Sequence, residues 1–285
     1  MKRGLPVAPS VASPARPRPS FPAKMASSVQ PVAAKAHGGP SPKVVAPAGA
    51  VQAGGKPAQP SAQRPAVSAG MGMDSQAVRA AMVRKLQAQG LAHPAVLAAL
   101  GAVERHRFVD TALANQAYED TSLPIGLGQT ISKPNVVARM LELMCEGRTD
   151  KLGRVLEIGT GCGYQAALLS HLSREVYSIE RLRGLHERAR ENLRWFRLSN
   201  LHLLFGDGML GYAQGAPYAA IIAAAGGNDI PQAWIDQLAV GGRLVAPAMT
   251  ESGHQNLVVI DKTANGVVRT VLEAVLFVPL KSGVA

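Results

Sequence analysis

The spacing of apolar positions divides the chain into three stretches. Residues 1–70 show no periodic pattern of apolar side chains. From residue 74 onward, apolar residues recur every three or four positions, which is typical of amphipathic helices. From residue 154 onward, short apolar blocks alternate with longer amphipathic stretches. This last pattern predicts strands and helices that follow one another in turn.

The alternating stretch predicts the sheet of an α/β domain. Buried strands are expected at 155–158, 176–179, 201–205, 218–223 and 243–246, and helices at 164–172, 182–196 and 231–238. Residues 257–260 and 267–277 are expected to close the sheet as an antiparallel pair. Strands that alternate with helices form a doubly wound, mainly parallel, Rossmann-like sheet. We therefore expect this architecture for a domain that covers residues 74–285.

Additional helices are predicted ahead of the sheet. Ser75 can cap a helix that runs to about residue 89, and a second helix is expected at 94–103. A loop rich in Pro and Gly is expected at 118–132. Pro134 suits the first position of a third helix, where its missing N–H has no cost.

The basic charge of the chain is concentrated in its first 73 residues. The whole chain has 30 Lys and Arg against 19 Asp and Glu. Residues 1–73 contain nine of the basic residues and none of the acidic ones, which leaves 21 basic against 19 acidic residues. The domain therefore lacks the charge expected of a nucleic-acid-binding surface. Residues 1–73, rich in Pro, Ala, Ser and Gly, are predicted to be a disordered tail, with a weak tether to acidic partners as its alternative role.

Several classes of protein are excluded by simple features of the sequence. No apolar run reaches the roughly 18 residues of a membrane-spanning helix, and no apolar segment follows the basic start as in a secretory signal. The two cysteines, Cys145 and Cys162, form no disulfide framework. The histidines have no metal-ligand spacing. We expect a cytoplasmic monomer that binds no membrane, no nucleic acid and no metal.

A glycine-rich turn after the first predicted strand is the strongest chemical signal. Glu157 precedes the pattern G-x-G-x-G, formed by Gly159, Gly161 and Gly163 with Thr160 and Cys162 between them. Glycines at such a turn let the backbone approach a ligand closely. The spacing differs from the dinucleotide pattern G-x-G-x-x-G. It is better suited to an amino-acid moiety than to a diphosphate.

Two acidic residues follow the next two predicted strands. Glu180 ends the second strand, where a carboxylate can accept hydrogen bonds from both ribose hydroxyls. Asp207, which precedes Gly208, follows the third strand, where it can accept from an adenine amine. The alternatives are an exposed strand-end carboxylate and a turn aspartate. With the glycine turn, these residues predict an adenosine pocket without phosphates, which S-adenosylmethionine fits.

Sequence motifs across the predicted domain resemble protein-L-isoaspartate O-methyltransferases. The most specific motif is Gly-Gln-Thr-Ile-Ser at 128–132, and the glycine turn, Glu180 with Arg181, and 206–208 also match. The resemblance extends from about residue 82 to residue 280. It implies methyl transfer from S-adenosylmethionine to the α-carboxylate of L-isoaspartyl residues in damaged proteins. The resulting ester would form a succinimide that hydrolyses partly to aspartate.

The resemblance also implies roles for individual residues. Ser132 would be the active-site hydroxyl beside the methyl-accepting carboxylate, although it could instead cap the helix that starts at Pro134. Glu180 would bind the ribose and Asp207 the adenine side, and Gly159, Gly161 and Gly163 would line the methionine end. Further cofactor-binding residues are expected at Glu157, Thr160 and Gly208.

Some positions differ from the family pattern, and two other functions are possible. Lys133 replaces the usual Gln, Cys162 a frequent Ser, and Ala219 a usual Asp; residues 224–228 are also atypical. One alternative is a methyltransferase for RNA or small molecules, although the Asn/Asp-Pro-Pro-aromatic motif of base-amine methylation is absent from 223–227. The other is a protein that binds the cofactor without catalysis.

Overall fold

The structure, a computed structural model, describes residues 75–251 and 253–285. The tail predicted for residues 1–73 lies outside these residues. Six α-helices are described: α1 (Ser75–Ala88), α2 (Pro94–Ala102), α3 (Pro134–Cys145), α4 (Tyr164–Leu172), α5 (Arg183–Leu193) and α6 (Gln232–Gln237). Among the described residues, no helix combines the length and apolar character needed to cross a membrane.

The strands form one large sheet and one small hairpin. The hairpin pairs β1 (Leu123–Gly126) with β2 (Gln129–Ile131). The large sheet contains β3 (Leu152–Ile158), β4 (Ser173–Glu180), β5 (Leu201–Phe205), β6 (Tyr218–Ala223), β7 (Leu238–Met249), β8 (Gln255–Thr263) and β9 (Gly266–Ala274). Its order is β5-β4-β3-β6-β7-β8-β9. Strands β3 to β7 pair in parallel, and β8 and β9 add antiparallel pairs at one edge. The predicted doubly wound sheet is confirmed.

Alternate side chains of the central strands face two different apolar cores. Val155 and Val176 belong to a cluster that also contains buried residues of α1 to α5. Leu156 and Ile179 belong to a second cluster, which includes Trp234 of α6. Because successive residues of a strand point to opposite faces, the sheet separates these two cores. Burial on both faces explains why the central strands are continuous apolar runs in the sequence.

The structure adds one hairpin to the sequence prediction and moves several boundaries. Strands β3 and β4 each begin three residues before the predicted strands, and β9 ends three residues before its predicted end. The expected loop at 118–132 contains the hairpin of β1 and β2. The helix expected at 182–196 is α5 followed by a 3-10 turn, Arg194–Phe196. Strand β7 begins directly after α6, five residues before the predicted strand, because Leu238 already pairs with Tyr218 of β6.

Arg243 joins two strands and a helix by hydrogen bonds. Its Nε and Nη2 donate to the two carboxylate oxygens of Asp261 on β8, at 2.6 and 3.0 Å. Its Nη1 donates to the Leu143 carbonyl of α3 at 2.9 Å and to Glu146 Oε2 at 3.1 Å. These acceptors raise the pKa of Arg243 above its ordinary value, led by the hydrogen bond to Asp261. Only a guanidinium has the planar geometry to bind all of these acceptors at once.

Substituting Arg243 by Lys is expected to destabilise the domain. An ammonium group keeps the charge but loses the two-pronged pairing with Asp261, so the free energy of unfolding should fall by about 1–3 kcal/mol. Urea unfolding measures this change. The control is Arg269→Lys, because Arg269 pairs with Asp229 at the surface, with side chains 43% and 73% exposed. That control should cost less than about 1 kcal/mol. Equal losses of unfolding free energy in R243K and R269K would contradict a stabilising role for the pairing of Arg243 with Asp261.

Candidate active site

The turn between β3 and α4 requires glycine at three positions. Gly159, Gly161 and Gly163 have φ values of +90°, +57° and +93°, in the region that other L-residues rarely adopt. The amides of Gly159 and Thr160 both donate to the Ile179 carbonyl of β4, at 2.8 and 3.2 Å. The turn is therefore fastened to the end of the neighbouring strand. Its last glycine, Gly163, packs against Leu193 of α5, where an added Cβ would come within 2.7 Å.

Glu180 holds the same turn from the end of β4. Its Oε2 accepts from the Gly161 amide at 2.8 Å, and its Oε1 accepts from the Leu182 amide at 2.9 Å. The residue is only 5% exposed, yet it lines a cavity. Each carboxylate oxygen can accept a further hydrogen bond. Glu180 is thus oriented by backbone donors and can still accept from a ligand.

Glu157 lies behind the turn in a buried polar network. It is completely buried, and its Oε2 accepts from Ser178 Oγ at 2.5 Å. Ser178 Oγ is in turn 2.6 Å from Thr160 Oγ1, so the two hydroxyls share a hydrogen bond. Burial raises the pKa of Glu157 to about 8, against the lowering effect of the hydrogen bond from Ser178. Glu157 therefore holds a proton near neutral pH and braces the turn.

Asp207 is held by backbone amides on both carboxylate oxygens. Its Oδ1 accepts from the Met209 amide at 2.9 Å and so caps a short 3-10 helix, Gly208–Leu210. Its Oδ2 accepts from the Gly283 amide at 2.6 Å. Arg181 Nε donates to the Gly283 carbonyl at 2.8 Å, and the Arg181 carbonyl accepts from the Ala285 amide at 2.9 Å. The carboxylate thus anchors the segment 281–285 beside the cavity.

Ser132 follows β2 and lines the same cavity as the glycine turn. The residue at the N-cap of α3 is Lys133, and its side chain makes no capping hydrogen bond. Asp120 supplies the cap, because its Oδ1 accepts from the Asn135 amide at 3.0 Å. The capping role considered for Ser132 is therefore performed by another residue.

Arg105 is a residue of this region that sequence reasoning missed. It is completely buried; its Nη2 donates to the Ser132 carbonyl at 2.7 Å and its Nε to the Ala117 carbonyl at 2.7 Å. Its guanidinium lies 4.8 Å from the centre of the Tyr164 ring. Desolvation lowers the pKa of Arg105. The sequence around it, a run of basic residues and one His, gives no sign that this arginine is buried.

The cavity collects most of the predicted residues. It has a volume of about 470 Å³, within the roughly 300–1,000 Å³ of small-molecule sites. Six predicted residues line it: Ser132, Gly159, Thr160, Gly161, Glu180 and Gly208. Within the described part of the chain, three others are not among its lining residues: Glu157, Gly163 and Asp207.

The cavity has the features needed to hold S-adenosylmethionine. The glycine turn contributes backbone without side chains, and Glu180 contributes an oriented acceptor. Ser132 and Thr160 contribute hydroxyl-bearing side chains to the same lining. These groups suit a ligand that carries a ribose and an amino-acid end.

Comparison with known proteins gives consistent matches. The family model "Protein-L-isoaspartate(D-aspartate) O-methyltransferase (PCMT)" matches residues 77–285. A protein-L-isoaspartate O-methyltransferase of Methylibium petroleiphilum is 64% identical over 218 residues, which are 75% of this chain and 81% of that protein. Its namesake in Burkholderia mallei is 50% identical over 279 residues, 97% of this chain and 85% of the relative.

Solved structures agree with the fold. One protein-L-isoaspartate O-methyltransferase matches with a TM-score of 0.66 and 27% identity, over 72% of this chain and 67% of the other. A Plasmodium falciparum protein described under the same enzyme name, in complex with S-adenosyl-L-homocysteine, matches with a TM-score of 0.63. It is 23% identical over 71% of this chain and 98% of its own. This second likeness concerns the fold alone.

Replacing Glu157 by Gln should change how stability depends on pH. The pKa of Glu157 is about 8 in the folded chain, against an ordinary value of 4.5. The folded state binds this proton more tightly, so the stabilisation is fully present below about pH 4.5 and is lost as pH rises through about 8. Relative to E157Q, the free energy of unfolding of the unsubstituted protein should fall by about 1.4 kcal/mol per pH unit in that window.

Urea unfolding across that pH window measures the effect. The control is Glu175→Gln on the same sheet. Desolvation is the largest single effect on the Glu175 carboxyl and raises its pKa, but hydrogen bonds from Tyr177, Arg154 and His202 and the charge of Arg154 together lower it. Relative to E175Q, the unsubstituted protein should show no such fall in the free energy of unfolding. Parallel pH profiles for the unsubstituted protein and E157Q would contradict a buried, protonated Glu157.

Proposed function

The chain belongs to the protein-L-isoaspartate(D-aspartate) O-methyltransferase family, and from that premise we propose which of its residues perform the reaction. The protein transfers a methyl group from S-adenosylmethionine to the α-carboxylate of L-isoaspartyl residues in damaged proteins and peptides. The alternatives of another acceptor class and of a protein without catalysis are therefore not retained.

The residues of the chain have mainly to bind and align the reactants. A carboxylate is ionised at neutral pH and needs no general base. S-adenosylmethionine, when bound, supplies an electrophilic methyl group on a good leaving group. Holding an acceptor oxygen in line with that methyl can contribute roughly 7–11 kcal/mol to the rate. This explains why the cavity works without a His-Asp or Cys-His pair.

We assign the acceptor end of the cavity to Ser132. The observation that carries this assignment is that Ser132 lines the cavity while Asp120 performs the capping of α3. The Ser132 hydroxyl is thus left to donate to the isoaspartyl carboxylate and orient it. Arg105 fixes the backbone of Ser132 through its carbonyl. Arg105 and Ser132 are 27 positions apart in the sequence, so this bond also joins the end of the hairpin to the 3-10 turn that contains Arg105.

We assign the cofactor end to the glycine turn and the acidic residues. Gly159, Thr160 and Gly161 would face the methionine moiety, and Glu180 would accept from the ribose hydroxyls. Gly163 and Glu157 would act from behind, by shaping the turn. Gly208 lines the cavity on the adenine side, and Asp207 would reach an adenine amine with the lone pairs left beside its two backbone donors.

The compartment, oligomeric state and partners of the enzyme are also proposals. We infer a cytoplasmic monomer that acts on damaged proteins and binds no nucleic acid or membrane. Cys145 and Cys162 are both buried and free, as expected in a reducing compartment. The near balance of charge after residue 73 supports the absence of a nucleic-acid partner.

Replacing Ser132 by Ala should reduce methyl transfer to isoaspartate. The measurement uses labelled S-adenosylmethionine and two peptides that are identical except for isoaspartate or aspartate at one position. The unsubstituted protein should label only the isoaspartyl peptide, and the label should be labile in base. Loss of a hydrogen bond to a charged acceptor should lower kcat/KM about 10- to 100-fold in S132A.

Two controls distinguish the loss of the Ser132 hydroxyl at the acceptor site from a general loss of structure. S132A should bind S-adenosylhomocysteine as the unsubstituted protein does. Ser199→Ala, which removes a hydroxyl from the surface groove beside α5, should keep full activity. Unchanged kcat/KM in S132A would remove Ser132 from the acceptor site, and label on neither peptide in the unsubstituted protein would contradict the reaction itself.

Replacing Glu180 by Gln should weaken cofactor binding. The amide keeps the size of the side chain but lowers its strength as an acceptor, so the Kd for S-adenosylhomocysteine should rise about 10- to 100-fold. Isothermal titration calorimetry measures it. Glu175→Gln is the matched control, since Glu175 lies on the same strand but is paired with Arg154 and His202 away from the cavity. Equal affinities for E180Q and the unsubstituted protein would contradict the ribose assignment.

A further inference from the structure

The turn of the β1–β2 hairpin contains an unusual residue. Leu127 has a φ of +52° and Gly128 a φ of +70°. A two-residue turn with positive φ at both positions favours Asn or Gly, because a branched apolar side chain fits that region poorly. Leu127 is also 62% exposed. The chain thus keeps a large apolar side chain where neither backbone preference nor burial favours it.

Leu127 lies at the entrance to the cavity. It lines the same cavity as Ser132. Its Cδ1 packs over Gly184, where an added Cβ would come within 3.1 Å. Arg188 Nη1 donates to the Ile125 carbonyl at 2.5 Å and holds the hairpin against α5. The hairpin is therefore fixed in place, and the exposed part of the leucine faces solvent at the cavity mouth.

Strained residues of this kind persist where the surrounding structure holds them, and they cluster at functional sites. We propose that Leu127 is a specificity residue, an apolar contact for a side chain of the substrate that flanks the isoaspartyl residue. The proposal rests on the assignment of the acceptor end to Ser132. A contact with Leu127 would give the enzyme a preference among damaged sequences, which the chemistry of methyl transfer alone does not provide.

The geometry limits which substrate position Leu127 can contact. Ser132 lies five positions after Leu127 in the sequence, and a strand rises about 3.4 Å per residue, so the two lie at most about 17 Å apart. A bound peptide in extended form has the same rise. The contacted side chain is therefore within about five residues of the isoaspartate.

The test compares Leu127→Asn with Arg197→Asn in the full chain. Arg197 is the other described residue besides glycine with positive φ, at +48°, and it lines a separate groove between α5 and β5. Asn tolerates this conformation, so each variant should raise Tm by about 2–4 °C. Only L127N should weaken the binding of the peptide substrate. Its KM should rise about five- to tenfold for an isoaspartyl peptide with leucine at one flanking position.

A scan of peptides identifies that position. In the scan, leucine replaces serine at each of the five positions on either side of isoaspartate, and KM, kcat and the Kd for S-adenosylhomocysteine are measured. The unsubstituted protein should prefer leucine at one position, and L127N should lose that preference with unchanged kcat and Kd. Leu127→Gly, which also tolerates positive φ, should behave as L127N does and serves if L127N fails to fold.

Other outcomes would overturn the proposal. Equal KM values for the leucine and serine peptides in the unsubstituted protein would show that Leu127 selects nothing. A change in the Kd for S-adenosylhomocysteine in L127N would show that Leu127 contacts the cofactor and not the substrate. Failure of this proposal is distinguishable from failure of the Ser132 assignment, because the peptide preference is measured from the ratio of KM values in L127N and the Ser132 role from kcat/KM in S132A.

Discussion

The carbonyl of Ile179 accepts hydrogen bonds from both Gly159 and Thr160, and this contact sets the position of the whole glycine turn. It joins the end of β3 to the end of β4, so the sheet itself fixes the floor of the cavity. Side chains at the three glycines would disturb this arrangement, since all three adopt positive φ. The carboxylate of Glu180 then holds Gly161. A turn that makes these bonds cannot move independently of the sheet.

The acceptor side of the cavity depends on a different set of contacts, which come from outside the sheet. Arg105 binds the Ser132 carbonyl, and Asp120 caps the helix that follows. Both residues precede β3 in the chain. The segment ahead of the sheet therefore does more than cover one of its faces. A 3-10 turn that contains Arg105 and the bend at Asp120 fix the position of Ser132, so the two ends of the cavity are supplied by two different regions of the chain.

The sequence predicted the sheet well because its strands are apolar runs with clear breaks. It predicted the glycine turn and Glu180 because positive φ and strand ends leave a local pattern. It did not predict the hairpin at 123–131, since Leu127 is a residue that no turn rule would place there. Arg105 was missed for another reason: its burial depends on carbonyl acceptors that lie 12 and 27 positions away in the chain. Contacts between such distant positions leave no local sequence pattern, so a single sequence does not predict them.

The two glutamates near the turn show how environment gives the same side chain different tasks. Glu157 is enclosed by protein, and its raised pKa leaves it neutral near pH 7, as a brace for Thr160 through Ser178. Glu180 receives two backbone amides and lines the cavity. A negative charge on Glu157 would lie behind the turn, unable to reach a ligand directly. Because methyl transfer to a carboxylate requires no base, protonation of Glu157 removes no group that the reaction needs. The site can therefore use one carboxyl for packing and the other for recognition.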